Sequence, residues 1–148
     1  MVNLSAPDLT QHPPRSVRVR LGGYAHLARL LDKARAVLAG KAGEFNYNCP
    51  IDERFFAFTG INQKTMLAAI KTGKTDVQML KWVNAKSKRT APEVIAWSAW
   101  FEQAGPGGAE GHEWIASVLN KHHSSRDDIR AFADLLDLDD YLSFGGKA

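Results

Sequence analysis

Helix punctuation constrains this chain more than any other feature. Thr75 with Gln78, Thr90 with Glu93 and Ser125 with Asp128 each form a capping-box pair. In such a pair a hydroxyl receives a backbone N–H three residues on, and the side chain there returns the bond. Pro92 follows Thr90 in the first turn, where its missing N–H has no partner to lose. Glycine stops stand at Gly40, Gly60 and Gly73, and Gly105-Pro106-Gly107-Gly108 is a complete break. Between these marks the apolar residues recur with a period of about 3.6 residues. Tyr24, Leu27, Leu30, Leu31, Ala34, Val37 and Leu38 form one broad stripe, and Val94, Trp97, Trp100, Phe101 and Ala104 another. The expectation is an all-α fold, a compact bundle of six or seven short helices with an extended N-terminal arm.

The helices are expected as follows. The first runs from Tyr24 to Ala39, and the IDERFFAF segment is a short second one with Asp52 near its start. Asn62 caps the third, which Gly73 closes. The fourth runs from Thr75 to about Ala85; Val77, Met79, Leu80, Trp82 and Val83 exceed one stripe, so it should be buried on more than one side. The fifth opens at Thr90, and the sixth ends near Lys121 with Trp114, Ile115, Val118 and Leu119 inward. Ser125 opens the last long helix, carrying Ile129, Phe132, Ala133 and Leu136, before a short turn around Tyr141. Residues 1–20 contain prolines and lack helical periodicity, so they form the arm; the alternation of Val17, Val19 and Leu21 permits a short edge strand. At 148 residues, one domain over 1–148 is expected, with the arm at 1–20 and the helical core at 21–148.

Several classes are excluded by composition. No run reaches the roughly 20 apolar residues of a membrane span. The start, MVNLSAPDLTQHPPR, has no apolar segment behind a basic one, so it does not read as a signal peptide. Cys49 is the single cysteine, so no intrachain disulfide can form. These features lead to the expectation of a cytoplasmic location. No cofactor or metal is expected. Gly22-Gly23 lacks the Lys-Ser/Thr of a phosphate-binding loop and the βαβ setting of a dinucleotide site. His112-Glu113 has no second histidine four residues after the first, and His122 and His123 are neighbours that point to different helix faces.

Three stretches are familiar together: PPRSVRVRLGGYAHLARLLDKARAVLAG, FNYNCPIDERFFAFTGI and GKTDVQMLKWVNAKSKRTAPEVIAWSAWFEQ. They resemble a bacterial family described only as a domain of unknown function, DUF number fifty sixty-nine. The resemblance covers most of the chain. It implies a compact bacterial protein with no assigned activity, and it supplies no catalytic residues to carry over. Any site has to be argued from the residues themselves.

The leading candidate site is the end of the arm. Arg15, Arg18 and Arg20 precede Gly22 and Gly23, and Tyr24 opens the first predicted helix. A helix N-terminus attracts anions, glycines admit a ligand to the backbone, and arginine holds phosphate or carboxylate with two parallel bonds. The function expected from this is a small helical module that binds a phosphate- or carboxylate-bearing ligand, or a partner protein whose identity the sequence does not give. The competing reading is an arm held by ion pairs to the acidic tail, which carries six aspartates after His122. An alternative is a small enzyme using acidic, Tyr or Cys residues near the same place, and the candidates are Asp32, Arg35, Tyr47, Cys49 and Asp52. His26, Arg29 and Lys33 lie within about 60° of one another on the first helix, opposite the apolar stripe, and read as a solvated basic face. Asp32 is expected to pair with Arg29 or Arg35. A third alternative is nucleic-acid binding through residues 71–89, which hold six basic side chains against Asp76. The modest overall charge of +3 and the apolar character of the fourth helix argue against it.

Overall fold

A computed structural model describes residues 6–147. Seven helices lie among them: α1 (Leu27–Leu38), α2 (Pro50–Thr59), α3 (Gln63–Lys71), α4 (Asp76–Ser87), α5 (Ala91–Gln103), α6 (Ala109–Lys121) and α7 (Phe132–Ser143). The fold is an all-α compact bundle, and no strand is found among the described residues. The punctuation operates as expected at four helices. Thr75 with Gln78 and Thr90 with Glu93 make reciprocal bonds at the starts of α4 and α5. Asn62 accepts from two backbone N–H groups at the start of α3, and Gly60 ends α2 at φ 72°.

α1 is the centre of the molecule. Every residue from Leu27 to Ala36 is buried, charged ones included. Its apolar side joins Phe55 of α2, Met66 and Ile70 of α3, Met79 and Val83 of α4 and Val94 of α5 in the largest cluster. Each fully buried side chain of this size contributes about 1.5–3 kcal/mol of transfer free energy. A second cluster, Val17, Ala25, Phe101 and Ala133, ties the arm to α5 and α7. A third joins Ile115 of α6 to Ile129, Phe132 and Leu135.

Four expectations need correction. Helix α1 starts at Leu27 rather than Tyr24, because the chain first makes a tight turn in which Leu21 and Tyr24 exchange both backbone bonds. Gly22 and Gly23 occupy the two central positions at φ 57° and 84°, the left-handed values such a turn demands. A Cβ on Gly22 would lie 2.3 Å from Cδ1 of Leu80, so the site excludes side chains on two grounds. Ser125 does not open a helix; residues 124–131 form no regular element, and α7 begins only at Phe132 and carries through Tyr141 to Ser143. The Phe132 N–H is drawn to the Ala104 carbonyl instead, with Gly105 packed against the Arg130 carbonyl where a Cβ would sit 2.4 Å away. Helix α4 buries only Met79 and Val83 fully, and Val77 is left 59% exposed. The segment from Ser16 is no strand, although Val17 is fully buried.

Candidate functional site

The basic wedge of α1 faces inward. His26, Arg29 and Lys33 are 1%, 3% and 4% exposed, so the expectation of a solvated face is overturned. Apolar residues cover most of the rest of α1, and the wedge is packed inside the fold. Each group is instead met by a carboxylate. The Arg29 guanidinium donates to both oxygens of Asp140 at 2.6 and 3.1 Å and lies over the Phe45 ring. The Lys33 ammonium donates to both oxygens of Asp52 at 2.8 Å and to Cys49 Sγ at 3.4 Å. His26 Nε2 stands 2.7 Å from Asp52 Oδ1.

Asp52 is the hub. It is fully buried in the first turn of α2 and also accepts from the backbone N–H groups of Asn48 and Cys49 at 2.8 and 3.2 Å. Burial alone would raise its carboxyl; the bonds and charges of His26 and Lys33 outweigh that and hold it at about 2. For His26 burial prevails, and its ring is pushed below the ordinary histidine value. A neutral ring that donates Nε2–H to Asp52 leaves Nδ1 as an acceptor. Nδ1 is buried and has no hydrogen-bond partner among the described residues. Such an orphan costs roughly 1–3 kcal/mol and calls for an explanation. Strain collects at the same place: His26 has φ 70° and Asn48 φ 67°, both left-handed values for residues other than glycine. Asp140 is displaced the other way, because burial raises its carboxyl more than Arg29 lowers it.

These groups border a cavity of about 780 Å³. Two hollows beside Asp134 are smaller, at about 490 and 450 Å³. Helix α1 supplies His26, Arg29 and Lys33, and the segment before α2 supplies Glu44, Phe45 and Cys49. Ile51, Trp114, Val118, Phe132 and Leu136 form an apolar wall from α2, α6 and α7. Trp114 was expected inward and is 38% exposed; here it lines the cavity. Arg54 also lines it, with its guanidinium 5.0 Å from the Phe132 ring centroid and 5.6 Å from that of Trp100. Lys121 on the same lining is paired with Asp139, which also receives His122. Among the described residues no group of three His, Cys, Asp or Glu side chains is placed to hold a metal ion.

The residues singled out in the sequence divide into two groups. Cys49 and Asp52 come together with His26 and Lys33 at the cavity. The arm lies elsewhere and is paired within the chain. Arg15 clamps Asp32 through its side chain and its backbone N–H, and reaches Asp76 at 2.8 Å. The bond to Asp32 is the chief cause of its raised guanidinium value. Asp32 therefore pairs with Arg15, not with Arg29 or Arg35; Arg35 pairs with Asp76 at 2.7 Å. Arg18 meets Asp134 and Asp137 of α7, and Arg20 makes two parallel bonds to Glu102 at 2.8 and 3.0 Å. Tyr24 is fully buried with its hydroxyl 3.0 Å from that of Ser87, and Gly22 and Gly23 make the turn described above. The Tyr47 hydroxyl donates to the Gln63 carbonyl at 2.8 Å, and burial raises its value. Within 71–89, Lys71, Lys81, Lys86, Lys88 and Arg89 are exposed; Lys86 lies over Trp82 and Arg89 over Phe58.

His26, Arg29, Lys33 and Arg54 were not read from the sequence as parts of a pocket, nor Asp140 as the partner of Arg29. The sequence carries no local signal for this, because Arg29, Asp32, Lys33 and Arg35 beside one apolar stripe are the pattern of a helix with a solvated face. No helix among the described residues is long and apolar enough to cross a membrane. Comparison with curated proteins gave no match. A family model matches residues 11–142, which include the arm from Arg15, the wedge of α1 and the Cys49–Asp52 turn; the chain belongs to the family described as Domain of unknown function (DUF5069).

Proposed function

We propose that this protein binds a small anionic molecule, bearing a carboxylate or phosphate on an apolar or aromatic body, in the cavity between α1, α2, α6 and α7. One observation carries the reading. Arg54 lines the cavity, and among the described residues it has no carboxylate within ion-pair distance. The other lysine and arginine side chains of the lining, Arg29, Lys33 and Lys121, are held by Asp140, Asp52 and Asp139. A guanidinium laid on the Phe132 and Trp100 rings is ready for a ligand anion, because cation–π contact leaves its N–H donors open. The volume supports this, since pockets for small molecules run from about 300 to 1,000 Å³. The lining joins an apolar wall to charged groups of both signs, with Glu44, Glu110 and Asp139 beside Arg29, Lys33, Arg54 and Lys121. The ligand class is the one anticipated from the arm; the cavity is favoured over the arm because Arg15, Arg18 and Arg20 are already paired. A cytoplasmic, bacterial setting belongs to the same reading, supported by the unpaired Cys49 and by the sequence resemblance.

The test is thermal unfolding with benzoate, phenyl phosphate and neutral benzyl alcohol. Either anion at 100 times its Kd should stabilise the protein by about 2.7 kcal/mol, and benzyl alcohol should do far less. Arg54→Gln should remove most of the anion effect, whereas an Arg18→Ala, Arg20→Ala double change should leave it in place. Stabilisation that disappears with the double change and survives Arg54→Gln would move the site back to the arm.

A further inference from the structure

We infer that Cys49 is the nucleophile of this cavity, forming a bond from Sγ to an electrophilic carbon of a carboxylate- or phosphate-bearing ligand. This deepens the binding reading and rests on it. Cys49 is half-buried on the cavity lining and forms the N-cap of α2, with Asp52 opposite it in a capping box. The Lys33 ammonium donates to the sulfur at 3.4 Å. A cation and a helix N-terminus at one sulfur are the surroundings in which cysteines act as nucleophiles.

A second feature, independent of the thiol, points to a ligand in the same place. His26 is 1% exposed and borders the cavity, and its Nδ1 has no partner. The ring is not free to seek one, because Nε2 is fixed on Asp52 and the backbone is held at φ 70°. A ligand donor would satisfy Nδ1 while the anion meets Arg54. Asp52 is a positioning residue: it sets Lys33 against the sulfur and His26 against the cavity.

The covalent step is a substitution. Sγ bonds to the carbon, the bond from that carbon to its leaving group breaks with its electron pair, and the thiol proton passes to water. No oxidant or metal is needed.

Iodoacetate and iodoacetamide test this, since both place a carbon on sulfur with loss of iodide and only the first is an anion. Labelling of the folded protein is followed by intact mass, with a peptide of residues 45–53 as the reference thiol and Cys49→Ser to show that the addition is at this residue. Relative to the peptide, the folded protein should prefer iodoacetate over iodoacetamide by roughly tenfold, the enrichment that a confined cation without a carboxylate partner, here Arg54, gives an anion. Inorganic phosphate should slow the iodoacetate reaction more than the iodoacetamide reaction. A preference equal to the peptide's, or a thiol inert to both reagents, overturns the inference. The binding reading is judged separately by phenyl phosphate stabilisation of Cys49→Ser. Stabilisation there with an inert wild-type thiol leaves ligand binding standing and removes only the nucleophile.

Discussion

Asp52 is the single residue on which the most depends. It is fully buried and satisfies Lys33, His26 and two backbone N–H groups at once. Replacing it by Asn keeps the shape and removes the charge, leaving the Lys33 ammonium buried without its partner. Asp52→Asn should therefore lose about 3–5 kcal/mol in urea unfolding, the penalty of a broken buried pair. Lys33→Met should lose less, because Asp52 keeps its other donors; equal losses, or a loss at Asp52 under about 1 kcal/mol, would show that the pair is not isolated from water as described. Gly22 is the other residue with no substitute. Gly22→Ala should cost about 1–3 kcal/mol through its left-handed φ and its clash with Leu80, while alanine at Gly60, where a Cβ meets nothing within 4 Å, should cost less. At this scale the sequence revealed Cys49 and Asp52 as candidates but not their partners. Spacing along a helix reports which residues share a face, and His26, Arg29 and Lys33 do share one. It does not report what that face meets. The partner of Arg29 is Asp140, more than a hundred positions away, and no local pattern encodes that meeting.

Elements were legible wherever local bonds decide them. The caps of α3, α4 and α5 and the stop at Gly60 are contacts within four residues, and the sequence displays them directly. Elements failed where a distant group competes. Ser125 and Asp128 form a valid capping pattern, yet Arg126 takes both Asp128 oxygens at 2.6 and 2.8 Å, and the backbone from 124 to 131 stays irregular until the Phe132 N–H reaches the Ala104 carbonyl. Helix α7 consequently starts at Phe132 behind Ala131, an N-cap position that brings no side-chain cap. Ala131→Ser should stabilise the protein by about 0.5–1 kcal/mol, since the backbone there is already extended as a cap requires. Thr90→Ala at the capped start of α5 should lose about 1 kcal/mol. Chemical denaturation of the two variants side by side checks both signs; a destabilised Ala131→Ser would mean that the close packing of Gly105 against residues 130 and 131 leaves no room for the hydroxyl.

The whole molecule is built around charges placed indoors on its central helix, and that arrangement has a signature in pH. His26 titrates below its ordinary value of 6.5 in the fold, chiefly because burial disfavours the imidazolium. The unfolded chain then binds a proton that the folded chain refuses. Stability should be level above neutrality and fall as pH drops below 6.5 toward the folded value, with a limiting slope of roughly 1.4 kcal/mol per pH unit for one proton. Asp52 acts over a separate window. Its carboxyl is held at about 2 against 3.8, so its contribution is complete above 3.8 and is lost as pH falls through about 2. Asp76, lowered by Arg15 and Arg35 against the effect of burial, loses its contribution in the same direction. Urea unfolding of the wild type and of His26→Gln from pH 8 to about pH 3 separates the two windows. The variant should lack the limb just below 6.5 and keep the acid limb, because glutamine offers Asp52 a hydrogen bond without taking up a proton. If the limb persists in the variant, another histidine produces it. If it is absent from both, His26 accepts its proton inside the fold, and the neutral ring with a free Nδ1 acceptor is then the wrong form of the site.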